Sequence, residues 1–213
     1  MLEIKKYNLP DFDIMHDEET TAGYFLWRPD GVYVVLGNSN KPEENLNEKE
    51  IEEDDVQVYK RPSGGETVVL TPNTLVISVK IILDKFSDPK YYFRYFNQKI
   101  IDGLENLGIK DVSYRGISDI ALKSKKILGS SIYRKRKALF YHAVLNVSEP
   151  VKTIEKYIKH PTKEPDYRKG RTHKEFVTSL HNEGYPFSVN QISNSLKMVL
   201  SEINEDEAEE IFD

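Results

Sequence analysis

Residues 74–83, TLVISVKIIL, constrain this chain more than any other stretch, because they are nearly all apolar from Leu75 to Val79, Ser78 apart, without the alternation of a half-exposed strand. A strand of that kind requires cover on both faces. Partners for it are plentiful. Residues 31–37 (GVYVVLG) are β-branched and bounded by the turn formers Pro29, Asp30 and Asn38, and read as a strand. Residues 56–60, 67–70, 111–114, 118–122, 125–133 and 138–147 read the same way. In the last, Leu139, Tyr141, Ala143, Leu145 and Val147 share one face, and His142 lies on the other with Phe140 and Val144. The period changes over residues 91–107, where Phe93, Phe96, Ile100, Leu104 and Leu107 recur at helical steps and Gly108 stands at the stop. Residues 41–55 are polar and partly helical, and 151–158 form a short helix. The capping box Thr172-His-Lys-Glu175 opens a helix running through Leu180. Val189, Ile192, Leu196, Leu200 and Ile203 mark a final amphipathic helix. Strands with interspersed helices and little strict alternation give an α+β fold.

A chain of 213 residues suits one domain, residues 1–213. No apolar run is long enough to span a bilayer, and the first residues carry no secretory signal, so no membrane partner is expected. There is no cysteine. Disulfides, thiolate metal sites and a cysteine nucleophile are therefore excluded, and a cytoplasmic location fits. The net charge of -5 argues against a nucleic-acid partner. The charge is uneven, however: residues 43–55 and the tail 201–213 are acidic, while 123–137 are basic. A basic centre in an acidic chain points to a local anion site.

Residues 60–70, KRPSGGETVVL, hold the first candidate. Gly64 and Gly65 reach backbone angles closed to other residues and let main-chain N–H groups approach an anion. The stretch is neither a Walker loop nor a Rossmann loop, since a strand follows it. A hairpin turn and a backbone lying flat against a ligand both remain open. Lys126 is the second candidate. On a regular strand over 125–133 it shares a face with Leu128, Ser130 and Ile132, where it serves as a fixed cation or simply decorates an edge strand. His142 is a hydrogen-bonded core residue or a site residue; five scattered histidines show no HExxH and no triad spacing. Arg168, Lys169, Arg171 and His173 form an anion-binding cluster or a solvated loop.

Taken in order, these pieces resemble the lipoate-protein ligase A family, within the wider biotin/lipoate ligase group. VVLGNSN matches the strand that ends in a Gly with a polar follower. Lys60-Arg61-Pro62-Ser63-Gly64-Gly65 matches an R-R-x-S-G-G-G-type turn, Ser118-Asp119-Ile120 an N-D-[LI] strand, and Lys126-Ile127-Leu128-Gly129-Ser130 a K-[IV]-x-G-[SA] motif. Residues 139–145 loosely match L-x-H-H-G-x-L-L, and EPDYRKGRTHKEFVTSL matches a Y-R-x-G-R-S-H stretch with its sequel. The resemblance spans roughly residues 24–180.

It implies a central, mostly antiparallel sheet packed by helices. It also implies a ligase that uses ATP and Mg2+ to activate lipoate or octanoate as an acyl-adenylate, then acylates a lysine of a lipoyl-carrier domain. Lys126 maps onto the catalytic cation. Arg61, Ser63, Gly64, Gly65, Glu66, Thr67, Gly129, Ser130 and His142 map onto the acyl and adenylate site, and Asp119 onto a position near phosphates and metal. The family's transferases work through a cysteine thioester, which this chain cannot form. It also leaves no room after Leu180 for the C-terminal accessory domain of longer ligases, so a separate accessory subunit is implied. The chain departs from the motifs at Glu66 (for glycine), Lys60 (for arginine), Leu70-Thr71 (for His-Asp) and Ser118 (for asparagine). Glu66 and Ser118 favour two alternatives, a non-catalytic binder of lipoyl-adenylate or of a lipoylated protein. A ligase for another acid, such as biotin, is the third.

Overall fold

The computed structural model describes residues 2–203. In chain order the elements are β1 (Ile4–Lys6), α1 (Phe12–His16), β2 (Ala22–Trp27), β3 (Tyr33–Leu36), α2 (Pro42–Asn45), α3 (Glu48–Glu53), β4 (Gln57–Lys60), β5 (Val68–Leu70) and β6 (Thr74–Ile82). There follow α4 (Pro89–Glu105), β7 (Val112–Arg115), β8 (Asp119–Leu122), β9 (Lys125–Lys135), β10 (Ala138–Asn146), α5 (Val151–Tyr157), α6 (His173–Phe176) and α7 (Val189–Leu200). The fold is α+β, as the patterning predicts. A six-stranded antiparallel sheet in the order β2-β6-β10-β9-β8-β7 stands beside a four-stranded sheet in the order β1-β4-β3-β5. In the smaller sheet β4 pairs in parallel with both β1 and β3.

Three apolar clusters cement these layers. On one face of the large sheet, Leu75, Ile77, Val79 and Ile81 of β6 and Leu139, Tyr141, Ala143 and Leu145 of β10 pack against α4 and α7. On the other face, Trp27, Val76 and Phe140 meet Val35, Tyr59 and Leu70 of the small sheet. The outer face of the small sheet, with Val34, Leu36, Val58 and Val69, is closed by Leu46, Ile51, Tyr157 and Ile158 from the α2–α3 and α5 segments. This explains why β6 is apolar without alternation. One side of it faces helices and the other faces a second sheet.

The structure differs from the sequence reading in four places. The N-terminal strands β1 and β2 carry too little apolar pattern to stand out. The helix opened by Thr172 has its capping box but stops at Phe176 rather than Leu180. Val177 leaves it to pair in parallel with Lys126, and Thr178 N donates to Lys126 O at 2.9 Å. The last helix ends at Leu200, with Ile203 buried just beyond it. Most of the acidic tail, residues 204–213, lies outside the described residues. The fourth difference, in β9, decides the site.

Candidate active site

The β8–β9 ladder slips by one residue. Ile120 pairs with Leu128 but Ala121 pairs with Lys126, so Ile127 is an extra residue on β9. Such a bulge re-aims the side chains that follow it. Ile127 and Leu128 are both 1% exposed in the helix-side core. Lys126 is thereby turned onto the opposite face, with Asp119, Gly129 and Ser131. The expectation that it shares a face with Leu128, Ser130 and Ile132 is therefore corrected. Its ammonium sits 2.8 Å from Asp119 Oδ1, and Tyr167 donates to Asp119 Oδ2 at 2.8 Å. Burial, helped by the Asp119 charge, raises the Tyr167 hydroxyl far above its ordinary range. Gly129 makes room for the cation. A Cβ there would stand 2.7 Å from Lys126 Nζ. Ser130 also lines the cavity, its hydroxyl donating to Ser118 O at 2.6 Å.

The glycine turn is built from below by Arg61. Its buried guanidinium donates to Ser63 Oγ at 3.0 Å, Val35 O at 3.2 Å, Gly64 O at 2.7 Å and Glu66 O at 2.9 Å. Ser131 Oγ donates to the same Gly64 carbonyl at 2.8 Å. The carbonyls are drawn inward, and among the described residues the N–H groups of Gly64, Gly65 and Glu66 have no acceptor. Gly64 and Gly65 are exposed and Glu66 is half-buried, and a run of open donors suits an anion. Gly65 has φ +85°, a conformation that other residues rarely adopt. The polar follower in VVLGNSN also gains a role. Asn40 Oδ1 accepts from Gly37 N at 2.9 Å and from the Thr67 hydroxyl at 3.2 Å. A Cβ on Gly37 would lie 1.9 Å from Gly65 O. Gly37→Ala must displace the turn, and a loss of about 2–3 kcal/mol in unfolding free energy is expected from urea titration.

His142 lies beneath the turn, its Nε2 2.6 Å from Ser63 Oγ. That oxygen also accepts from Arg61 Nε, and with a second lone pair as well as its own proton it completes the contact with either tautomer of His142. Burial, reinforced by the Arg61 charge, pushes the imidazole down to about 3. With a depressed folded value, the unfolded chain binds the extra proton below the ordinary value of 6.5. Stability is thus fully present above that pH and lost as the pH falls toward 3. Urea melts should show a stability slope that steepens below pH 6.5 and approaches about 1.4 kcal/mol per pH unit near pH 5, and His142→Gln should remove it.

These parts open on one cavity of about 570 Å³, lined by Gly65, Glu66, Asp119, Lys126, His142 and Tyr167 among others. A second chamber of about 150 Å³ shares Glu66, Lys126 and Lys163 with it and continues to Ile158, Arg168 and Phe176. Lys126 stands at the junction. Arg168 is 4% exposed, lies over the Phe176 ring at 4.8 Å, and leaves Nη2 without a hydrogen-bond partner. Arg168 and His173 are thus buried, while Lys169 is exposed. Glu66 faces the cavity, and among the described residues its carboxylate has no hydrogen bond or ion pair. Burial raises its pKa, opposed by Lys126, Arg61, Lys163 and Arg168.

The structure brings together Arg61, Ser63, Gly64, Gly65, Glu66, Thr67, Asp119, Lys126, Gly129 and His142. Sequence reasoning missed Tyr7, Ser131, Lys163 and Tyr167. Of these, Ser131 carried a signal by its position two residues after Gly129, and Tyr167 as the first residue of the Y-R-x-G-R stretch. The residues at 6–201 match the family model of the lipoyl protein ligase A/B catalytic domain.

This chain belongs to that family.

The lipoate-protein ligase 1 of Staphylococcus aureus is 25% identical over 136 residues, which cover 64% of this chain and 40% of that protein. The chain thus spans well under half the length of that relative. Among solved structures, an archaeal bi-partite lipoate protein ligase from Thermoplasma acidophilum superposes with a TM-score of 0.77 at 21% identity, over 92% of this chain and 79% of that one. A lipoate-protein ligase A bound with ATP gives 0.76 at 20% identity, over 97% and 87%. The two-sheet arrangement is therefore that of the ligase catalytic domain. Among the described residues no helix is long and apolar enough to cross a membrane.

Proposed function

We propose that this chain activates lipoate or octanoate with ATP and passes the acyl group to a lysine of a lipoyl-carrier domain. The observation that carries this reading is Lys126, a cation aimed by a bulge at the junction of two chambers. The acid's carboxylate oxygen attacks the α-phosphorus of ATP, and pyrophosphate leaves. Two anions must meet in that step, and Lys126 offsets their repulsion where it is greatest. The unengaged N–H groups of Gly64, Gly65 and Glu66 and the orphaned Nη2 of Arg168 are donors suited to phosphate oxygens. The acceptor lysine amine then attacks the acyl carbonyl of the mixed anhydride, and AMP leaves.

Among the described residues no group of three or more His, Asp or Glu side chains could hold a metal. Both Asp119 oxygens are engaged. A magnesium ion would therefore be held mainly by phosphate oxygens and water, with Asp119 or Glu66 as its protein ligand.

A second reading, a non-catalytic binder of the adenylate or of a lipoylated protein, is favoured by Glu66, a carboxylate set beside the phosphate path. The two readings part on lipoate-dependent exchange of labelled pyrophosphate into ATP. Exchange, followed by acylation of a lipoyl domain with or without an added accessory subunit, is the expected result. Binding of lipoate with no exchange for any acid would leave the binder standing.

A further inference from the structure

The mechanism makes no use of the most buried carboxyl group among the described residues. Asp11 is 0% exposed, between the two sheets. It accepts from Tyr7 Oη at 2.6 Å and from Ser78 Oγ at 2.8 Å. Tyr7 extends the β1–β4 ladder, its N–H donating to Lys60 O at 3.2 Å, so it lies beside Arg61 at the root of the glycine turn. Its ring is 4% exposed, lines the larger cavity, and meets the His142 ring edge-on at 6.5 Å.

Its place along the cavity follows from strand register. The Leu145–Leu128 pair and the Ile127 bulge put Lys126 level with Asn146 on β10. Tyr7 stands at the level of His142, four residues further along the strand, or about 13 Å. Between them the wall is Val76, Val144, Val35 and Leu70. One end of this lobe is cationic and the other is a tyrosine ring whose hydroxyl is fixed by a buried acceptor.

We propose that Tyr7, held by Asp11, is the floor of the acyl lobe and sets the longest acid the site admits. This rests on the acyl-activating reading and adds its length limit. A tyrosine with a free hydroxyl would swing aside for a longer chain. One bonded to a carboxyl group that is itself held by Ser78 and shut between sheets does not. Tyr7 would touch the distal end of the acid; Asp11 is a positioning residue.

Calorimetric binding of hexanoate, octanoate, decanoate, dodecanoate and lipoate tests this without turnover. The wild type should favour octanoate and lipoate and fall off beyond them. The Tyr7→Leu, Asp11→Asn double variant removes the ring and neutralises the carboxyl group together. It should raise the dodecanoate-to-octanoate affinity ratio by at least about tenfold, the yield of burying two further methylene groups. Tyr7→Trp should move the preference toward hexanoate, and carries the test if the double variant does not fold. Tyr7→Phe, which keeps the floor but frees it, should blur the limit without shifting the optimum. Folded variants with the wild-type order of affinities would overturn the proposal and leave the ligase reading intact. A wild type that binds none of these acids would overturn both.

Discussion

Lys126→Ala will lose lipoate-dependent pyrophosphate exchange by about two to three orders of magnitude, the usual effect of removing a preorganised charge from a transition state. Its melting temperature will move little. The Lys126 side chain is 29% exposed, and Asp119 keeps its bond from Tyr167 when the lysine is gone. An ion pair of that kind contributes at most about 1 kcal/mol. Lys126→Arg will not restore the rate. A guanidinium spreads its charge over a planar fork, whereas the lysine places a point charge beside Gly129. Pyrophosphate exchange and a thermal melt on the same preparations separate the two effects. A variant that melts as the wild type and still exchanges would remove Lys126 from the chemistry.

The second large effect falls on folding. Arg61→Met keeps most of the side-chain volume but removes donors to Ser63 and to three carbonyl oxygens. Two effects oppose each other here. Arg61 is a fully buried charge with no carboxylate in contact, and its burial lowers it to about 10, so removing it relieves desolvation. Against this, each buried carbonyl left without a donor costs about 1–3 kcal/mol. Gly64 O keeps its bond from Ser131 Oγ, but Val35 O and Glu66 O lose the guanidinium. The losses prevail, and a net destabilisation of about 2 kcal/mol is expected, a fall of about 6 °C in Tm. Calorimetry gives the number. The turn should loosen with it, so lipoate binding should weaken even where the variant is folded. Unchanged lipoate affinity in the folded variant would show that the turn does not need its brace.

Much of this architecture was legible. The unalternated β6 required two covers, and it has one of helices and one of sheet. The faces of β10 divided as the alternation of 139–147 dictates, which put His142 on the site side. The Gly64–Gly65 turn and the Asp119–Lys126 pair were visible as short motifs, because glycine spacing and isolated charges leave marks in a linear sequence. What stayed hidden depends on long-range register. Tyr7 reaches the cavity from a segment far from the motifs, and nothing local distinguishes it from any other tyrosine. Tyr167 lies in the Y-R-x-G-R stretch, but its bond to Asp119 depends on how that loop folds back over the sheet. Arg61 could be expected at the site, but its place beneath the turn rather than on the ligand follows only from the four acceptors around it.

Lys126 shows most plainly how little separates an inert edge from a working one. Its orientation depends on a count. A single unmatched residue, Ile127, decides which side of a sheet receives the charge. Inserting one residue between Ile120 and Ala121 would give Ile127 a partner and restore even pairing along both strands. By the two-residue period of a strand, the lysine would then be driven into the oily layer under α4, and Asp119 would be left without its cation. The family's chemistry is thus exposed to drift through insertions as well as substitutions. A homologue with every side chain retained and one residue added to β8 would keep its motifs and lose its charge.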